Sequence, residues 1–140
     1  MADEVFTFQI NTDGMTRVIQ ATKTELDKLG RATSEGIIND IKLSFNTSPA
    51  GRTYTRGSIT HVASVAGYPP NVDTWALRAS MHWKDVGDFE WHVMDGVEYG
   101  YWLEEGTSKM QPRPFVRPVF ADWRKRKFLR LVRAMKIGDK

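Results

Sequence analysis

From Asp13 to about Phe45, apolar residues recur at three- and four-residue steps: Met15, Val18, Ala21 or Thr22, Leu26, Leu29, Thr33, Ile37 and Ile41. Lys23, Asp27, Arg31, Glu35 and Lys42 fill much of the space between them. That spacing marks an amphipathic helix, and Asn11-Thr12-Asp13 offers side-chain oxygens to cap its start. A single helix of this length would reach about 45 Å at 1.5 Å per residue, which is long for a chain of 140 residues. Gly30 and Gly36 either break it or mark a close packing contact. A one-sided stripe this long has to be buried on a sheet or on a neighbouring subunit.

Sheet-forming segments flank the helix. Val5 to Asn11 alternates, with Phe6, Phe8 and Ile10 on one face, as a half-buried strand does. Further on, Ala79, Met81 and Trp83 alternate with Ser80, His82 and Lys84, and Phe89, Trp91 and Val93 alternate with Glu90, His92 and Met94. A three-residue loop at Val86-Gly87-Asp88 would join them as a hairpin. That register sets Trp83 opposite Trp91 on the buried face and His82 opposite His92 on the exposed one. Just before the hairpin, Asp73-Thr74 can cap a short turn holding Trp75, Ala76 and Leu77.

Residues 46–72 are rich in Ser, Thr, Gly, Pro and Arg. They read as a long loop, either a mobile surface segment or one ordered by a partner. Arg52, Tyr54, Arg56 and His61 make it basic and partly aromatic, and so a candidate partner- or channel-facing surface. Beyond the hairpin, Val97 to Glu105 concentrates Tyr99, Tyr101, Trp102 and Leu103, and Gly106 suits the end of a helical turn. Gln111-Pro112-Arg113-Pro114 must be extended. Pro118 opens a last helix running to about Ile137, with Phe120, Trp123, Phe128, Leu131, Val132 and Met135 as its stripe and Arg126, Arg130 and Arg133 opposite. The order of elements predicts one α+β domain over residues 1–140. In it, a small antiparallel sheet is packed by the long N-terminal helix and the C-terminal helix, with a long loop between the first helix and the central hairpin.

Charge is unevenly distributed. From Ala121 onward there are eight basic residues against Asp122 and Asp139, or +6, while the first 120 residues carry 12 basic and 15 acidic, or −3. The chain has no cysteine, which excludes disulfides, thiolate metal sites and thiol nucleophiles. No apolar run is long enough to span a membrane, and Met1-Ala2-Asp3-Glu4 lacks the form of a signal peptide.

Chemistry-bearing residues are sparse. His82 and His92 would need a third ligand from elsewhere to hold zinc, and His61 has no evident carboxylate partner in the sequence. Glu98, Glu104 and Glu105 lie close together, and Asp95, Glu104 and Lys109 superficially resemble a nuclease set, but no spacing among them is diagnostic. Arg113 and Arg117 are suited to bind Glu104 and Glu105 bidentately. No phosphate loop, hydrolase triad or zinc signature is present. The expectation is a protein without catalytic residues, metal or cofactor. The basic last helix keeps open an alternative, a small α+β protein that binds nucleic acid through phosphates.

Two stretches carry a family resemblance. Tyr99-Gly100-Tyr101-Trp102-Leu103-Glu104-Glu105-Gly106-Thr107, followed by Arg113-Pro114-Phe115-Val116-Arg117-Pro118, resembles the C-terminal signature of the phage neck and tail-completion family. These are the minor tail protein Z-like head–tail connector proteins of long-tailed bacteriophages. Gly67-Tyr68-Pro69-Pro70, Asp73-Thr74 and Leu77-Arg78 are similar to the family's Gly-x-Pro-Pro…Asp-Thr-Gly-x-Leu-Arg element. Trp75 stands where the family usually has Gly, and Gly100 where it usually has Ala. The resemblance implies a non-enzymatic virion protein of the head-to-tail junction, assembled in the host cytoplasm as a homo-oligomeric ring, hexamer favoured. Phage DNA would pass through the lumen without sequence-specific binding. Head-closure or stopper proteins and tail-terminator or tail-tube proteins would be its partners. It further implies a structural clasp in which Phe115 fills the core and Arg113 and Arg117 pair with nearby carboxylates.

Overall fold

The computed structural model describes residues 5–10 and 23–136. The expected helix cap at Asn11-Thr12-Asp13 and the stripe positions Met15, Val18, Ala21 and Thr22 lie outside the described residues, while the last helix ends at Ala134, short of the expected Ile137, with Lys136 at positive φ.

The fold is α+β. A three-stranded antiparallel sheet has β5 (Glu90–Met94) at its centre, flanked by β1 (Val5–Gln9) and β4 (His82–Gly87). Alternation places Phe6, Phe8, Trp83, Trp91 and Val93 on one face, where they enter the core. Helix α1 (Lys23–Ser44) lies on that face and buries Leu26, Leu29, Thr33, Ile37 and Ile41, the expected stripe. Its two interior glycines are packing notches and not breaks. A Cβ on Gly30 would stand 2.1 Å from the Trp91 indole, and one on Gly36 would stand 2.4 Å from the Trp123 indole. Trp91 is fully buried and stacks on Phe8 at 5.8 Å.

The β4–β5 pairing differs from the expected register. His82 faces Met94, Trp83 faces Val93 and Lys84 faces His92. The connection is a two-residue turn at Asp88-Phe89, both at positive φ, with an irregularity between Asp85 and Gly87. Asp88 tolerates the left-handed region well enough to form that tighter turn. The shift is two residues, so the buried and exposed faces are unchanged.

Residues 46–72 are not a long loop. They hold a second, two-stranded sheet of β2 (Ala50–Arg56) and β3 (Ile59–Ser64), turned at Gly57-Ser58 with Gly57 at φ +60°. The following segment is tied back to the body. The Asn46 Oδ1 accepts the Val72 N–H at 2.7 Å, and Asn71 Nδ2 donates to the Val62 carbonyl at 3.0 Å. Helix α2 (Ala76–Ser80) starts without the expected Asp73-Thr74 cap: Trp75 precedes it at φ +67° and no side chain caps it.

The C-terminal helix is continuous but uneven. It comprises α4 (Arg117–Asp122), a π-helical turn (Trp123–Lys127) and α5 (Phe128–Ala134). Asp40 of α1 holds it in place, accepting the Trp123 indole N–H and the Lys127 ammonium, each at 2.7 Å.

Candidate functional site

Helix α3 (Tyr99–Glu105) ends at Gly106, φ +79°, whose N–H donates to the Trp102 carbonyl at 2.8 Å. A Cβ there would stand 2.8 Å from the Met110 carbonyl oxygen, so both the backbone angle and the space require glycine. Thr107 and Met110 close the turn that follows. The chain then returns, and the Arg113 N–H donates to the Leu103 carbonyl at 2.6 Å.

The centre of this clasp is Glu104, which is 1% exposed. Its Oε2 accepts the N–H groups of Phe115 and Val116 at 2.8 and 3.1 Å, and its Oε1 accepts that of Arg117 at 2.9 Å. These amides begin the C-terminal helix and have no acceptor within it. A carboxylate suits them through its charge and its two oxygens. Phe115 fills the core as expected, fully buried against Phe45. Arg117 pairs with Glu105, as expected. Among the described residues Arg113 pairs with no carboxylate: its Nε donates to the Ser64 carbonyl at 3.2 Å, because Glu104 is already taken by backbone amides. Pro114 leads into the clasp and Pro118 sits in the first helical turn. Thr107 is at the exposed turn, and Tyr99 and Trp102 are exposed on α3.

Beside the clasp is a cleft of about 440 Å³, walled by the β2–β3 hairpin, the segment before α2, and α3. Tyr54, Arg56 and His61 line it, together with Asp73, Trp75, Arg78, Tyr99 and Arg113. Arg56 pairs with Asp73 and lies over the Tyr54 ring at 5.6 Å, while Arg78 lies over the Trp75 ring at 5.5 Å. His61 does have a carboxylate neighbour, contrary to expectation: its Nδ1 is 3.7 Å from Asp73. Burial, and after it the Arg56 guanidinium, hold the His61 imidazole below its ordinary pKa of 6.5. Three guanidiniums therefore face the cleft against one carboxylate, and aromatic rings form much of its wall. Such a lining is complementary in charge and shape to an anionic group that also carries an apolar part.

The remaining candidates stand apart. Arg52 is exposed on β2 outside the cleft. Arg126, Arg130 and Arg133 are exposed along the last helix, Arg126 bonded to Asp122 at 2.6 Å. His82 and His92 are not cross-strand partners. His82 Nδ1 lies 2.8 Å from the Ser80 carbonyl, and His92 Nε2 lies 2.7 Å from Glu90. Among the described residues no group of three or more His, Asp or Glu could hold a metal ion, and no helix is long and apolar enough to cross a membrane. The cleft itself was not foreseen; its signal was the Gly57-Ser58 pair between Thr-rich runs, a two-residue hairpin turn.

What the fold and site define is an α+β domain with a buried carboxylate clasp and a cationic, aromatic-walled cleft. Among known proteins, no family model, no curated protein and no solved structure matches the chain.

Proposed function

We propose that the chain is a structural, non-enzymatic protein of the phage head-to-tail junction. It assembles as a ring, hexamer favoured, around the DNA channel and joins head-closure proteins to the tail. The observation that supports this reading is that the two stretches resembling the neck family, separate in sequence, are joined in space. The Gly67 N–H donates to the Pro112 carbonyl at 2.9 Å, Arg113 reaches Ser64, and both stretches wall one cleft. Trp75 adds to it: where the family usually has Gly, this chain adopts the left-handed angle that favours Gly. Mass spectrometry of phage particles made from the genome that encodes the chain tests the reading, with imaging of their necks. The chain should be present as a ring at the junction, and its absence from particles would sink the proposal.

The alternative is nucleic-acid binding through the exposed Arg126, Arg130 and Arg133. It requires duplex binding that weakens steeply with salt and is lost when these three are neutralised.

A further inference from the structure

The cleft lies at one end of the three-stranded sheet. Strand β5 leaves the sheet at Met94, and Asp95 then lies against Gly100 of α3, where a Cβ would stand 2.4 Å from its carboxylate. Helix α3 in turn walls the cleft with Tyr99 and Leu103. The β4–β5 turn lies at the opposite end, about 16 Å away along a five-residue strand.

The two ends are chemically complementary. The turn presents Asp85, Val86 and Asp88, all exposed, with Val86 43% exposed. Among the described residues Asp88 has no ion-pair partner, whereas Asp85 has Arg31. In the cleft, Arg78 and Arg113 likewise have no carboxylate partner among the described residues, and Arg78 lies at the rim over Trp75. Of the thirteen large apolar residues exposed among the described ones, Tyr54, Trp75 and Tyr99 line the cleft.

We propose that the cleft receives the β4–β5 turn of a second copy of this chain, with Val86 between the aromatic rings and Asp88 on the guanidiniums of Arg78 and Arg113. Because donor and acceptor surfaces sit at opposite ends of one sheet, the contact is head-to-tail and repeats from copy to copy. The inference deepens the ring reading, which it rests on only for the number of copies.

Charge exchange tests it, with the full chain followed by sedimentation at low and high salt. Arg78→Glu and Asp88→Lys should each weaken self-association about tenfold. Asp88→Asn, which keeps a residue comfortable at positive φ, should weaken it about threefold and leave the fold intact. An equimolar mixture of the Arg78→Glu and Asp88→Lys chains should recover part of the association, since in an alternating assembly positions 78 and 88 carry opposite charges at every contact, while Arg113 still opposes the introduced lysine at every second one. Unchanged association in the single variants, a mixture no better than its parts, or a wild-type chain monomeric at about 100 μM would each overturn the proposal. A monomer that is nevertheless found in phage particles would overturn this contact and leave the neck reading standing. Successful charge exchange in a chain absent from particles would remove the neck reading alone.

Discussion

Removing the charge of Glu104 perturbs the clasp at its centre. In Glu104→Gln the amide oxygen can take the place of Oε2 and keep the bonds from Phe115 and Val116. The amide NH2 then faces the Arg117 N–H, where Oε1 accepted at 2.9 Å. One charge-assisted bond, worth about 1.5–3 kcal/mol, is replaced by two opposed donors. The two surviving bonds fall to the strength of neutral ones, about 1 kcal/mol each. The expected loss is about 3 kcal/mol. Glu104→Ala leaves all three amides without an acceptor and opens a cavity, so its loss should reach about 5 kcal/mol. Urea unfolding followed by far-ultraviolet circular dichroism measures both. At about 2–4 °C per kcal/mol for a chain of this size, the Gln variant should melt roughly 6–12 °C lower. A Gln variant within about 0.5 kcal/mol of the wild type would refute the claim that the carboxylate organises the clasp.

Other consequences are smaller or more local. Gly30→Ala should destabilise by about 2 kcal/mol despite alanine's better helix propensity, because the buried Trp91 ring occupies the space; Gly36→Ala, against the half-buried Trp123, should cost less when the two are compared by thermal melting. Trp75→Gly should leave stability within about 1 kcal/mol of the wild type, because relief at φ +67° offsets the added freedom of the unfolded chain. For His61, the folded pKa lies below the unfolded one, so stability holds above pH 6.5 and declines as pH falls from there toward the folded value. A proton NMR titration should give a midpoint below 6.5, and Arg56→Ala should raise it. Lys127 is shifted the other way, raised chiefly by its hydrogen bond to Asp40, so its contribution persists below pH 10.5 and fades at higher pH. Asp40→Asn should cost about 0.5–1 kcal/mol at pH 7, and that difference should shrink in alkaline melts as Lys127 loses its proton.

The sequence was most legible where one periodicity ruled. The α1 stripe, the alternation of β1 and β5 and the Gly106 stop each follow from local chemistry, and all stand in the fold. Register was less legible, because two- and three-residue turns are both compatible with Val86-Gly87-Asp88-Phe89, and the two-residue turn sets Phe89 as well as Asp88 at positive φ, an angle that Asp tolerates and a bulky Phe does not signal. The β2–β3 hairpin was obscured because most of its residues are exposed, its apolar Tyr54, Ile59 and Val62 among them, so no buried apolar face marks it. The π-helical turn left a trace, a five-residue step from Trp123 to Phe128 in an otherwise three-and-four pattern. The arrangement of the clasp was half legible. Acidic and basic residues near one another suggested ion pairs, but backbone amides at a helix start compete for the same carboxylate and take it.

The two notches on α1 make that helix a keyed shaft. Gly30 receives an indole from the sheet and Gly36 receives one from the C-terminal helix, six residues further on and about a third of a turn around. Sliding or rotating the helix by one residue would drive a side chain into each ring, so α1 has a single permitted setting along its axis. The sheet and the cationic helix are thereby indexed to each other through a third element. A shift of the sheet against the cationic helix therefore has to displace α1 as well.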